Sequence, residues 1–160
     1  ASLSAIASLE ATFTPTFTLI IDHRDVLMGG GDARVASLLL WHFSEEIEHR
    51  SSALRIYHHL YRDRFARMRT FPVLRRRISG LLGQLRDEFR KHVPAEETRT
   101  RGQRAFSQIP ATDKWLTSAR ILLSQAPWHD PERERLPQGS RDWFAAFDRG
   151  QEMTRYYGRM

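Results

Sequence analysis

Apolar residues recur in steps of three and four through Leu3, Ile6, Phe13, Phe17, Ile20 and Leu27, with Glu10 as the one acid in the series. That period predicts a first long helix over residues 2–28, with Arg24 as its polar end. Pro15 predicts a bend between Thr14 and Thr18, because proline has no amide donor and its ring crowds the preceding turn. Gly29-Gly30-Gly31 then breaks the pattern, and Asp32 is placed to cap a second helix running to about Arg64. The stripe of that helix is Val35, Leu39, His42, Glu46, His49, Ala53, Ile56 and Leu60. So short a break makes the two helices an antiparallel hairpin.

Beyond Phe71-Pro72, the positions Val73, Ile78, Leu81, Leu82, Leu85 and Phe89 predict a third helix over 73–92, closed by Pro94, with Gly80 and Gly83 permitting close packing. Residues 94–110 are polar and read as a long loop. A shorter helix is expected from Thr112 or Asp113, carrying Trp115, Leu116, Ala119, Leu122 and Leu123. Pro127 to Pro131 is a rigid loop, and Gln138-Gly139-Ser140 opens a last helix through Trp143, Phe144, Phe147, Met153 and Tyr156. No stretch alternates with period two and no internal repeat occurs, so the chain reads as all-α.

The second stripe is apolar at both ends and ionisable in the middle. His42, Glu46 and His49 lie within about 60° of one another around a helix, on the side expected to face a neighbouring helix. Withdrawing an unpaired carboxylate from water costs several kcal/mol, so such a group needs a compensating partner. A metal ion is the simplest one. Glu46-x-x-His49 is also the spacing that di-metal carboxylate bundles project inward. At the helical rise, Glu10 lies roughly 27 Å below the turn, and Glu46 and His49 roughly 21 and 26 Å below it. The anomalous residues of both stripes therefore meet at one level. Glu45 flanks them as a further ligand or as an acceptor for an imidazole N–H. Phe13, Phe17, Leu39 and Phe43 form an apolar pocket around them. Glu48, His58 and His59 read as surface groups, and His129-Asp130 as part of a structural turn.

Composition narrows the chemistry. The chain has no cysteine, so a metal must be held by oxygen and nitrogen, which suits iron, manganese or zinc. Of its 25 basic residues only Lys91 and Lys114 are lysine, and the net charge is +6. The densest run, from Arg62 to Arg77, lacks interleaved aromatic platforms and reads as a solvated helix surface, which disfavours nucleic acid. No apolar run approaches the length of a membrane span and no secretory signal is present, so a cytoplasmic protein is expected. The first residues are already periodic, without an initiator Met or a cap, and this leads us to expect a preceding segment.

Trp41-His42-x-x-Glu45-Glu46-x-Glu48-His49-Arg50, preceded by Leu9-Glu10-x-x-Phe13-Thr14 on the helix before, resembles the ferritin-like family labelled predicted metal-dependent hydrolase. The likeness covers residues 1–62. In that family an earlier helix pair brings another glutamate and a glutamine-glutamate-x-x-histidine segment, which this sequence lacks before Glu10. The resemblance implies that residues 1–70 are the later half of a ferritin-like bundle and 71–160 a helical extension of the same domain. It implies two metal ions, iron above manganese or zinc, held by Glu10, Glu46 and His49 with His42 as a further ligand. The other half would come from an absent N-terminal portion, a separate chain or a second copy; two copies supply the four glutamates and two histidines of a di-metal bundle. A carboxylate-rich metal pair more often activates dioxygen than water, so the leading expectation is a non-haem di-iron oxygenase or oxidase of a small hydrophobic organic substrate. The alternative is a metal-dependent hydrolase of an ester, thioester or amide. A further alternative is a non-catalytic helical interaction protein, whose polar seam pairs with arginines of another helix.

Overall fold

The structure is a computed structural model and describes residues 3–92 and 101–159. Every regular element among these residues is helical: α1 Leu3–Asp22, α2 Arg24–Met28, α3 Ala33–Glu48, α4 Ser52–Leu60, α5 Ala66–His92, α6 Arg101–Gln108, α7 Ala111–Leu123 and α8 Gln138–Asp148, with 3-10 turns at Pro131–Arg133 and Tyr156–Arg159.

Helix α1 is the hub, packed by α3, α4, α5, α7 and α8. Its buried positions explain how one helix takes so many neighbours. Ser4, Ala7, Ser8, Ala11 and Thr14 are small, so adjacent helix axes can come close. By length and composition α1 could also cross a membrane, contrary to the expectation of no such stretch; a helix at the centre of a helical core shares that property. It runs unbroken through the buried Pro15, where a bend was expected, and the Thr12 and Thr16 hydroxyls donate to the Leu9 and Thr12 carbonyls at 2.7 Å on either side.

Antiparallel pairing of α1 with α3 and α4 is visible in the register. Ile21 packs with Leu40 and Ile47, Phe17 stacks on Phe43 at 4.6 Å, Glu10 reaches Ala53, and Ala7 meets Ala53, Leu54 and Tyr57. Residue numbers fall along one helix as they rise along the other, as the glycine turn requires. Asp32 caps α3 as expected, its carboxylate accepting from the Arg34 amide at 2.8 Å. Ile21, Leu40 and Ile47 are at most 3% exposed, and each stabilises the hairpin by about 1.5–3 kcal/mol.

Several boundaries differ from expectation. The first helix stops at Asp22 and resumes as α2, with Arg24 Nη1 taking the Ile21 carbonyl at 3.0 Å. The second is interrupted at His49–Ser51, where Arg50 Nη1 donates to the Ile47 carbonyl at 2.7 Å and Nε to Pro131 at 2.9 Å. Helix α5 starts at Ala66 and passes through Pro72, anchored by the buried Arg67 and Phe71. Residues 101–108 are helical where a loop was expected, while 94–100 of that expected loop lie outside the described residues. Helix α7 is preceded by Pro110 rather than capped by Thr112 or Asp113, and its Trp115, Leu116, Leu122 and Leu123 are exposed. The last helix ends at Asp148 because Gly150 turns at φ 70, with Gln151 N bonding the Ala146 carbonyl at 3.1 Å in a Schellman arrangement. Gly139 lets α8 approach α1, since a Cβ there would meet Ile21 Cγ2 at 2.6 Å.

Candidate metal centre

The stripes read as buried are the half-open ones. On α3 the fully buried side chains are Ala36, Ser37, Leu40, Ser44 and Ile47. On the neighbouring stripe, His42 and His49 are exposed, Glu46 is half-buried, and Val35 and Leu39 are 56% and 38% exposed. The same holds on α1, where Glu10, Phe13 and Phe17 are half-buried beside the small buried residues. The cause is the crowding around α1: closely packed helices select small residues, and the large apolar and acidic side chains fall on the less covered side.

On that face the two hairpin helices bring the candidate residues together in part. Glu10 and Glu46 repel one another electrostatically and His49 attracts Glu10. Burial, more than Glu46, raises the Glu10 carboxyl above its ordinary range, while a hydrogen bond from the Ala53 amide pulls the other way. That bond is 2.8 Å to Oε2. His42 Nε2 lies 4.0 Å from Glu46 Oε1, one turn apart on α3. Glu45 is half-buried alongside. Phe13, Phe17 and Phe43 form a ladder, with ring centroids 5.1 and 4.6 Å apart, next to the carboxylates. Leu39 instead lines a cavity of about 290 Å³ at the hairpin turn, with Val26, Met28 and Val35.

The bond to Ala53 is a role that sequence reading missed. The interruption at His49–Ser51 frees the first amides of α4, and the Ser51 hydroxyl does not cap them but donates to Glu132 at 2.9 Å. Glu10 takes that place from another helix. Only the break itself could have announced this, and the unbroken heptad-like stripe concealed it.

The donor set has the chemistry of a hard or borderline metal site, carboxylate oxygens and imidazole nitrogens, and among the described residues no arginine pairs with Glu10 or Glu46. It is also incomplete. Among the described residues no three histidine, aspartate or glutamate side chains are gathered tightly enough to hold an ion. The residues therefore fit a metal in kind and not yet in number.

Nothing among curated proteins or solved structures matches the chain. A family model described as predicted metal-dependent hydrolase matches residues 1–130 of 160, and the chain belongs to that family.

Proposed function

We propose that this chain supplies one half of a metal-dependent hydrolase centre, with Glu10 of α1 and Glu46 and His49 of α3 as ligands and His42 as a further donor. The observation that carries this reading is that Glu10, fixed on the Ala53 amide across the hairpin, lies within electrostatic reach of Glu46 and His49 in a chain of a metal-dependent family. A cation bound there would polarise the carbonyl of an ester, thioester or amide and make water a better nucleophile. The chain's own residues position and shield. Glu10 keeps one oxygen on the Ala53 amide, which ties its carboxylate to the start of α4 and leaves the other oxygen for the centre. The Phe13–Phe17–Phe43 ladder offers the organic part of a substrate an apolar wall beside the carboxylates.

We read α1 and α3 as half of a ferritin-like bundle, with the remaining ligands on helices outside the described residues. Val35, Leu38, Leu39 and Trp41, all more than a third exposed on α3, support a further helical layer over this face. The test is ester and thioester turnover by the full-length protein before and after chelation and after return of zinc, manganese or iron. Activity should vanish on chelation, return with metal and be absent in Glu46→Ala; turnover intact under both treatments would reject the reading.

A second reading, oxidation of an apolar substrate by an iron pair, is favoured by the aromatic ladder and the predominance of carboxylate donors. The two separate under strict anaerobiosis, where hydrolysis persists and oxidation stops.

A further inference from the structure

Arg67, on the first turn of α5, is 0% exposed, yet its guanidinium makes one hydrogen bond, from Nη2 to the Ala126 carbonyl at 2.9 Å. Nε and Nη1 are buried and meet no acceptor among the described residues. Burial works against its charge, and the neighbouring Tyr57 phenol, itself held protonated by burial, does not neutralise it. A cation at a helix N-terminus is opposed by the helix dipole as well. Such a charge calls for an anion.

The surroundings are built for one. A cavity of about 260 Å³ opens between α4 and the Pro127–Pro131 loop, lined by Ser51, Arg55, His58, Arg64, Trp128 and His129 among others. Arg67, not itself in the lining, stands behind it: its guanidinium donates to the carbonyl of Ala126, next in the chain to the lining Pro127, and its charge lowers the affinity of both His58 and His129 for a proton, after burial, the larger cause in each. The acids at this site are already engaged: Glu132 with Arg55 at 2.5 Å, Asp130 with Arg133 at 3.3 Å, and Glu134 with Arg120 at 2.5 Å and His129 at 3.5 Å. Arg64 pairs with no carboxylate among the described residues. Trp128, at the rim, is 79% exposed, a large flat surface left to water.

We propose that this pocket binds an organic oxyanion, its phosphate or carboxylate group held by Arg64 in the field of the buried Arg67 and its organic part lying against Trp128. A compact oxyanion accepts from the Arg64 guanidinium and offsets the buried charge behind it, and an aromatic face adds contact area for the body that carries it. The site is distinct from the carboxylate face and needs no metal.

Binding is tested by thermal shift and calorimetry on the full-length protein with inorganic phosphate, phenyl phosphate, acetate and benzoate against chloride at matched ionic strength. At least one oxyanion series should bind above the chloride control, phosphate and carboxylate arms telling the two sources apart, with the phenyl compound the tighter in that series. Arg64→Gln, on the exposed rim, should weaken binding about tenfold; Arg67→Met should also weaken it while the protein stays folded; Trp128→Ala should erase the preference for the phenyl compound. Glu46→Gln should bind as the wild type does, which keeps this result separate from the fate of the hydrolase reading. No binding above chloride, or equal binding by wild type, Arg64→Gln and Arg67→Met, would overturn the proposal, as would binding lost only in Glu46→Gln.

Discussion

Glu10 and Glu46 lie near one another with no arginine paired to either among the described residues, while Arg67, elsewhere in the fold, is sealed in with no carboxylate partner among them. Among the described residues the first group has only imidazoles as cationic partners, and the second has no carboxylate. Their burial differs more than their charge. The acidic face is half-open, so water screens the repulsion and the folded chain tolerates it unliganded. The basic site is closed, and an uncompensated ion there is a standing cost to the fold. The two proposed sites therefore differ in consequence: a ligand at the acidic face would serve chemistry, and one at the basic pocket would also serve stability.

The largest expected effect is on metal binding. Glu46→Ala should weaken it by more than the roughly 10–100-fold typical of losing an outer-shell partner, since a ligand itself is removed; calorimetry with zinc or manganese measures this, and an unchanged affinity would break the acidic half of the comparison. Next is the core that holds the two sides in register. Leu40→Ala, at a position 3% exposed, should cost about 2–5 kcal/mol in denaturant unfolding. On the basic side, Arg67→Met in oxyanion-free buffer should be neutral or stabilising by about 1–4 kcal/mol, since an unpaired buried charge gives way to an apolar side chain of similar length. A clear loss of stability would mean that Arg67 is compensated after all.

A smaller effect concerns pH. Glu10 holds its proton more tightly in the folded chain than in the unfolded one, so stability should fall as pH rises from 4.5 through the raised folded value and stay lower above it. Glu10→Gln, which can keep the acceptor for Ala53, should remove that fall in metal-free buffer; parallel melting curves against pH for the two proteins would deny it. Smallest, Gly150→Ala should cost about 1 kcal/mol, because φ 70 is strained for a residue with a Cβ.

The hairpin was legible because two long periodic stripes and a triple glycine leave little choice of topology, and rise per residue alone brought Glu10 level with Glu46 and His49. Which stripe would be buried was not legible. Periodicity identifies a face, but the crowding of five helices around α1 sent Ser8, Ala11 and Ser37 inward and left Phe13, His42 and Glu46 at the edge. Arg67 was hidden by a different assumption. It shares the stripe of Phe71, Leu74 and Ile78 on α5, and taking Pro72 as a stop detached it from that stripe and left it among solvated arginines. Gly150, by contrast, was an ordinary helix stop that the aromatic period of Phe147, Met153 and Tyr156 overran.

On the proposed reading the half-buried acids and exposed imidazoles of the α1/α3 face bind a cation. Calorimetric titration of metal-free full-length protein with zinc or manganese, wild type beside Glu10→Gln/Glu46→Gln, addresses it most directly. Saturable binding by the wild type that is lost in the double variant is the expected result; identical heats from the two proteins would contradict it.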